Sequence, residues 1–248
     1  RLLDAINNRE FVVHYQPIIE LSSGKIVGAE ALTRWPQPDG SSLSPDIFVP
    51  LAEQTGRISQ LTHLVIEKVF EDMGYWLHLH AGQHISINLA PADLTSGKLP
   101  PLLSHLMNKW KVHPQQIALE LTERGFADPK ISAPAIAAFR HSGHAIYIDD
   151  FGTGYSSLSY LQDLDVDTLK IDKAFVDALE YKNVTPHIIE MAKSLKLAMV
   201  AEGVETEGQL AWLRRHGVQY GQGWYYSKAL PKADFILWAE DNLKTHPT

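Results

Sequence analysis

The chain has 248 residues, of which 45% are hydrophobic, enough to bury one large core, so we expect a single domain. It contains no cysteine, which excludes disulfides and thiolate metal sites and favours a reducing compartment such as the cytoplasm. The 22 basic and 29 acidic residues give a formal charge of −7, which argues against a protein that binds polymeric nucleic acid.

The sequence lacks a signal-peptide pattern and any apolar run near the ~20 residues of a membrane helix. We therefore expect no membrane contact from these residues themselves. Because the chain begins at Arg1 rather than at a methionine, we expect residues 1–248 to be one domain of a longer protein. Whether a missing N-terminal region tethers this domain to the inner membrane stays open.

The first predicted elements are a short amphipathic helix over 2–8 and a β-hairpin. Apolar runs at 11–19 and 26–32 flank the turn residues Ser22 to Lys25. Two strands joined by so short a turn pair antiparallel. The sequence therefore predicts that the first strand runs opposite to the second.

After the hairpin, helices alternate with strands. Apolar spacing and Pro/Ser start signals predict helices over 44–53, 59–79, 99–110, 131–141, 174–179, 186–195, 207–216 and 232–243. Short apolar runs predict strands over 84–89, 117–121, 145–148, 168–171, 197–201 and 220–225. With the hairpin this gives eight strands, and repeated βα units in one domain favour a closed parallel barrel over an open sheet, although periodicity does not settle closure.

A polar residue follows or ends each strand from the second onward. These residues are Glu30, Asn88, Glu120, Asp149 with Asp150, Lys170, Glu202 and Gln222. In a βα barrel the carboxyl ends of the strands meet on one face and build the active site there. We therefore predict that these scattered positions form one cluster.

The adjacent acids Asp149 and Asp150 are the most informative part of this pattern. Neighbouring carboxylates at the end of a buried strand repel each other and lose solvation, so they share a proton or hold a cation. Gly152 and Gly154 permit a sharp turn directly after them. The strand over 168–171 then brings Lys170 to the same neighbourhood, which suggests a metal and a phosphate.

Carboxylate and amide oxygens without histidine or sulfur suit hard cations such as Mg²⁺ or Mn²⁺. Two ions would roughly balance five carboxylates, would make the pocket attractive to a small anion, and would support in-line phosphodiester hydrolysis. Each signal has a plainer interpretation when taken alone: Asp149 and Asp150 as a loop, Glu30 and Lys170 as solvent-facing side chains. The six tryptophans are expected in the core. Only the joint pattern predicts the chemistry.

The chain resembles the EAL domain, a bacterial phosphodiesterase that linearises cyclic di-GMP, over essentially its whole length. Glu30-Ala31-Leu32 is the signature triplet. The further matching motifs are Tyr15-Gln16-Pro17, Leu32-Thr33-Arg34-Trp35, Asn88-Leu89, Glu120-Leu121-Thr122-Glu123, Asp149-Asp150-Phe151-Gly152-Thr153-Gly154, Leu169-Lys170-Ile171-Asp172, Ala201-Glu202-Gly203-Val204-Glu205 and Gln222-Gly223.

The resemblance implies a fold, an activity and a set of metal ligands. The fold is an α/β modified TIM (β/α)8 barrel with an antiparallel first strand, and the activity is metal-dependent hydrolysis of cyclic di-GMP to linear 5′-pGpG. Two ions, Mg²⁺ or Mn²⁺, would be bound by Glu30, Asn88, Glu120, Asp149 and Asp150, with Glu202 near the second ion.

The resemblance also implies roles for the remaining site residues. Lys170 would position the attacking water, and Glu202 is a candidate for proton transfer. The substrate would contact Gln16, Arg34 and Gln222. Glu123 would anchor the loop after Asp150, and Glu205 would support Glu202 and that loop. In such domains this loop and its following helix often form a homodimer contact, so we expect a dimer coupled to metal binding.

Two alternatives to catalysis stay open at this point. Some EAL domains have lost these acids and act as nucleotide receptors, whereas this sequence retains all of them. A lyase of the enolase type also combines carboxylate-bound Mg²⁺ with a lysine base, but it does not account for Gln16 and Arg34.

Overall fold

The computed structural model describes residues 1–122, 125, 129–151, 165–179 and 184–246. The strands in these ranges are β1 (Val12–Glu20), β2 (Ile26–Pro36), β3 (Ser42–Leu43), β4 (His84–Leu89), β5 (Ile117–Thr122), β6 (Ile146–Phe151), β7 (Thr168–Ile171), β8 (Ala198–Ala201), β9 (Tyr220–Gly221) and β10 (Leu230–Pro231). The α-helices are α1 (Leu2–Asn7), α2 (Pro45–Gln54), α3 (Ile58–Leu79), α4 (Pro91–Thr95), α5 (Leu99–Trp110), α6 (Pro129–His141), α7 (Lys173–Asp177), α8 (Val184–Ser194), α9 (Glu207–Arg215) and α10 (Lys232–Thr245).

Eight of the ten strands in these ranges close into a barrel. From β2 the order runs through β4, β5, β6, β7, β8 and β9, with each neighbouring pair parallel. β1 closes the ring because it pairs with both β2 and β9, antiparallel in each case. The fold is therefore an α/β modified TIM barrel whose first strand runs opposite to the others, as predicted.

The strand register brings the polar strand-end residues to one mouth of the barrel. Paired residues on neighbouring strands point to the same side of a sheet. Gln16 is paired with Glu30 across β1 and β2, and Asn88 is paired with Glu120 across β4 and β5. On β7, Lys170 shares a face with Thr168, which is the partner of Tyr147 on β6. The polar side chains therefore project into the barrel at its mouth.

Beneath this mouth the barrel interior contains polar side chains as well as apolar ones. The Tyr147 hydroxyl lies 3.0 Å from Nε2 of His84. Burial lowers the pKa of His84 to about 4, so its imidazole is neutral and Nε2 can accept that hydrogen bond. Ser86, on the same face as His84, is fully buried. These buried polar groups lie in the interior below the carboxylate cluster.

Gly28 illustrates how tightly this interior is built. A Cβ added at Gly28 would lie 2.4 Å from the His84 carbonyl oxygen and 2.7 Å from its ring. We expect Gly28→Ala to lower the free energy of unfolding by about 1–3 kcal/mol, the usual cost of overpacking. Urea unfolding measures this change. Gly82→Ala is the control, because nothing lies within 4 Å of a Cβ added at Gly82. Its free energy of unfolding should change by no more than about 1 kcal/mol. Equal effects of the two substitutions would contradict the packing argument.

The helices cover the outside of the barrel, and their ends carry the expected local signals. Pro45 begins α2, and Oγ of its N-cap Ser44 accepts a hydrogen bond from the Asp46 amide. At α9, Thr206 and Gln209 form a capping box. Every predicted helix agrees with the structure to within two residues at each end. No helix in the described ranges is both long and apolar enough to cross a bilayer.

Three predictions about the strands and core need correction. The strand predicted over 220–225 ends at Gly221, because the chain then turns against Val204: a Cβ at Gly223 would lie 2.2 Å from the Val204 carbonyl oxygen. Asp149 and Asp150 lie within β6 rather than after it, at a register shift, and Asp150 has a positive φ of 54°. Trp224, expected in the core, is 63% exposed.

Candidate active site

Lys170 lies at the centre of the polar cluster and is fully buried. Its ammonium group contacts carboxylates from four different strands or strand ends. The distances from Nζ are 2.7 Å to Glu202, 2.8 Å to Glu120, 3.1 Å to Glu30 and 3.3 Å to Asp149. The structure therefore brings together residues that span more than two thirds of the sequence, as the strand-end pattern predicts.

Two side-chain amides complete the cluster. Nδ2 of Asn88 donates to Oε1 of Glu30 at 2.9 Å. Nε2 of Gln222 donates to Oε2 of Glu30 at 2.6 Å and to Oε1 of Glu202 at 3.1 Å. These hydrogen bonds fix the Glu30 carboxylate in orientation, because both of its oxygens accept an amide hydrogen.

The carboxylates form two overlapping sets among the described residues. Oxygens of Glu30, Glu120 and Asp149 lie within 4.8 Å of one another, and so do oxygens of Asp149, Asp150 and Glu202. Asp149 belongs to both sets. This arrangement suits two neighbouring cations that share one bridging carboxylate.

Burial raises the pKa of Glu30, Glu120 and Glu202, and nearby charges and hydrogen bonds decide the net direction of each shift. Burial raises the pKa of Glu120 well above its usual value and that of Glu202 to about 8, although the Lys170 charge opposes both shifts. Burial also favours neutral Glu30, but the Lys170 charge and the amides of Gln222 and Asn88 outweigh it and lower the pKa of Glu30. The single positive charge of the buried Lys170 ammonium does not balance the negative charges of the carboxylates around it.

The ammonium itself stays charged. Burial disfavours the charged form of Lys170, but the carboxylates of Glu120, Glu202, Glu30 and Asp149 raise its pKa well above the usual value. For Asp150 the charged form is instead disfavoured, because burial and the neighbouring Asp149 charge raise its pKa. Further positive charge at this site would therefore be favourable.

The residues present fit divalent cations. The donors are carboxylate oxygens and the Asn88 amide, the oxygen-rich set that Mg²⁺ and Mn²⁺ prefer. Oε1 of Glu120 is buried and has no hydrogen-bond partner among the described residues, although such an atom normally has one. When ionised, the five carboxylates exceed the Lys170 charge by four, which two divalent ions would balance.

Gln16 and Arg34, predicted to contact substrate, lie at the rim of the mouth. Nε2 of Gln16 donates to the Ser227 carbonyl at 3.3 Å, and Nη1 of Arg34 donates to the Thr33 carbonyl at 3.0 Å. Arg34 is half-buried, and burial lowers its pKa while the nearby Glu30 charge raises it. Both side chains therefore have polar hydrogens near the carboxylate cluster.

The two residues predicted to stabilise loops differ in what the structure shows. Glu123 lies outside the described residues, as does the loop after Asp150 with the helix predicted to form a dimer contact. Glu205 forms an ion pair of 2.9 Å with Lys173, whose stem packs against Gly203. That Glu123 and Glu205 support the loop after Asp150, and that the chain forms a homodimer, stay predictions.

His14 is a rim residue that sequence reasoning missed. It lies on the same face of β1 as Gln16, and burial together with the Arg34 charge lowers its pKa. A backbone hydrogen bond to Ala229 ties it to the segment that precedes β10. Its contact with that segment follows from the β1–β10 pairing, which no local pattern in the sequence indicates.

The chain is similar in sequence to known bacterial proteins. The chain is 71% identical over 243 residues to the probable cyclic di-GMP phosphodiesterase PdeB of Escherichia coli K12, covering 98% of the chain and 47% of PdeB. It is 35% identical over 241 residues to the bifunctional diguanylate cyclase/cyclic di-GMP phosphodiesterase MucR of Pseudomonas aeruginosa, covering 95% of the chain and 35% of MucR. The chain thus spans about half the length of PdeB and about a third of MucR.

Solved structures show the same fold. The PaMucR phosphodiesterase in its c-di-GMP complex superposes with a TM-score of 0.87 at 34% identity, over 94% of this chain and 99% of that one. The EAL enzyme Bd1971 with cAMP and cyclic di-GMP bound gives a TM-score of 0.90 at 32% identity, over 96% of this chain and 67% of that one. Residues 1–229 match the family model described as EAL domain. The chain belongs to the EAL domain family.

Proposed function

We propose that this chain hydrolyses cyclic di-GMP to linear 5′-pGpG with two divalent ions, Mg²⁺ or Mn²⁺. The observation that carries the proposal is the pair of carboxylate sets that share Asp149 around the buried Lys170. The choice of cyclic di-GMP as the substrate is supported by relatives named as cyclic di-GMP phosphodiesterases and by solved EAL structures with this nucleotide bound.

The metal ligands follow from the two sets. One ion would be held by Glu30, Asn88, Glu120 and Asp149. The other ion would be held by Asp149, Asp150 and Glu202. Two bound ions would lower the pKa of a water molecule and neutralise charge on the phosphodiester.

The remaining steps belong to side chains of the cluster. Lys170 would donate a hydrogen bond to the attacking water and hold its oxygen in line with the P–O3′ bond. Glu202 would accept the proton of that water on its carboxylate. The new P–O bond forms as the P–O3′ bond breaks, and the 3′ oxygen takes up a proton, which leaves a 5′-phosphate and a free 3′-hydroxyl.

The rim residues would bind the nucleotide outside the metal centre. Arg34 would contact a phosphate, because a guanidinium can donate two parallel charged hydrogen bonds to it. Gln16 lies on β1 opposite Glu30, and Gln222 donates hydrogen bonds to Glu30 and Glu202. A phosphodiesterase that binds a cyclic dinucleotide gives all three residues a role, whereas a lyase of the enolase type leaves Gln16 and Arg34 without one.

Chromatography of the reaction products tests the proposal. The purified chain should convert cyclic di-GMP to 5′-pGpG in Mg²⁺ or Mn²⁺ and form no product in EDTA. Glu30→Ala should abolish turnover while circular dichroism shows that the barrel is retained. Tight nucleotide binding without product in both metals would instead identify a receptor and contradict hydrolysis.

A further inference from the structure

Trp224 is a large aromatic side chain that the proposed chemistry leaves unused. It is 63% exposed, whereas Trp35 and Trp76 are buried at 3% and 4%. Exposing an indole to water is unfavourable, since its apolar area would gain about 25 cal/mol per Å² from burial. An exposed tryptophan beside a binding site is therefore a candidate for contact with a ligand.

The segment that carries Trp224 is bounded at both ends by residues of the candidate site. Two positions before it, Gln222 donates hydrogen bonds to Glu30 and Glu202. Three positions after it, the Ser227 carbonyl accepts a hydrogen bond from Gln16. Trp224 therefore belongs to the short segment that joins these two contacts at the barrel mouth.

Backbone hydrogen bonds make this segment a defined turn. The Val204 amide donates to the Gln222 carbonyl at 3.0 Å, and the Tyr225 amide donates to the Val204 carbonyl at 2.9 Å. The amides of Tyr226 and Ser227 both donate to the Gly223 carbonyl at 3.1 Å. Because the turn is already ordered, a ligand that contacts Trp224 loses little free energy in ordering the protein.

One face of the indole is backed by a cation. The Lys228 ammonium lies 4.4 Å from the Trp224 ring centroid, a cation–π distance. The exposed fraction shows that much of the ring remains accessible to solvent. A flat, electron-rich ring can stack on this accessible surface, and every nucleobase offers such a face.

We propose that Trp224 is a stacking platform for one guanine of cyclic di-GMP, held at the rim while a phosphodiester lies over the carboxylate cluster. This proposal rests on the proposed function for its ligand. The base on Trp224 and the phosphate at Arg34 would orient the scissile bond, and Lys228 would hold the indole in place. Trp224 would thereby favour purine dinucleotides over phosphodiesters that lack an aromatic base.

Substitutions that separate ring stacking from apolar bulk test the proposal. Trp224→Leu keeps an apolar side chain without the ring, and it should raise KM for cyclic di-GMP by about 5-fold or more, the low end for one base–aromatic stack. Trp224→Phe keeps a ring and should stay within about twofold of wild type. Tyr75→Leu is the matched control, because Tyr75 is 66% exposed on α3, and it should also stay within about twofold.

The dissociation constant for cyclic di-GMP, measured by calorimetry in EDTA, gives a second readout without turnover. It should rise with Trp224→Leu and not with Trp224→Phe. If wild type makes no linear product, the proposed function fails, yet this binding comparison still decides the role of Trp224. A Trp224→Leu variant that matches wild type in both readouts, or a Trp224→Phe variant as impaired as Trp224→Leu, would overturn the stacking assignment.

Discussion

Lys170→Met is expected to lower the rate of cyclic di-GMP hydrolysis by about 10²–10⁴-fold. The methionine side chain approximates the length of the lysine stem but cannot donate a hydrogen bond to the attacking water. Product chromatography at saturating Mg²⁺ measures the loss. Lys193→Met is the matched control, because Lys193 also pairs with a carboxylate at 2.9 Å and is exposed on α8, so its rate should equal that of wild type.

The same substitution is expected to destabilise the protein when metal is absent. Removing one partner of a buried ion pair costs about 3–5 kcal/mol, because the remaining charges stay desolvated. Here Glu30, Glu120, Asp149 and Glu202 would lose their common cation. Urea unfolding in EDTA should show the loss, and Mg²⁺ should restore part of it. Equal stability of Lys170→Met and wild type in EDTA would show that the ammonium does not hold these acids together.

Asp149→Asn is expected to weaken Mn²⁺ binding at both positions, by at least about 100-fold. A change next to the ligands already costs 10–100-fold, and Asp149 belongs to both carboxylate sets. Asp150→Asn alters one set only, so one ion should still bind with nearly wild-type affinity. Calorimetric titration with Mn²⁺ counts the ions and measures each affinity.

The control for this pair is Asp46→Asn, in the first turn of α2, which should bind two ions as wild type does. If the Asp149→Asn and Asp150→Asn variants bind the same number of ions, Asp149 is not a ligand shared by the two metal positions. If neither variant loses an ion, the carboxylate sets are not the metal site.

Much of the site could be predicted because it depends on strand ends. Asn88 and Glu120 end predicted strands, and in a parallel barrel such ends share one face. The sequence places Lys170 in the strand-end pattern near Asp149 and Asp150, and the family resemblance gives it a role at the attacking water. That it contacts four carboxylates depends on barrel closure, which brings Glu30 of β2 and Glu202 after β8 to the same point. Local periodicity carries no information about that closure.

The features that sequence reasoning missed depend on contacts between distant segments. β9 ends early because Gly223 packs against Val204, nineteen positions earlier in the chain. Trp224 was expected in the core because tryptophan is usually buried, and its exposure follows from that turn. The short strands β3 and β10 contain two residues each and give no periodic signal.

The most direct test is a crystal structure of the chain with Mn²⁺, with the ions located by their anomalous scattering. The account predicts two ions about 3.5–4 Å apart at the barrel mouth, with Asp149 as a ligand of both. Glu30, Asn88 and Glu120 should surround one ion, and Asp150 and Glu202 the other. A single ion, or ions bound away from these carboxylates, would contradict it.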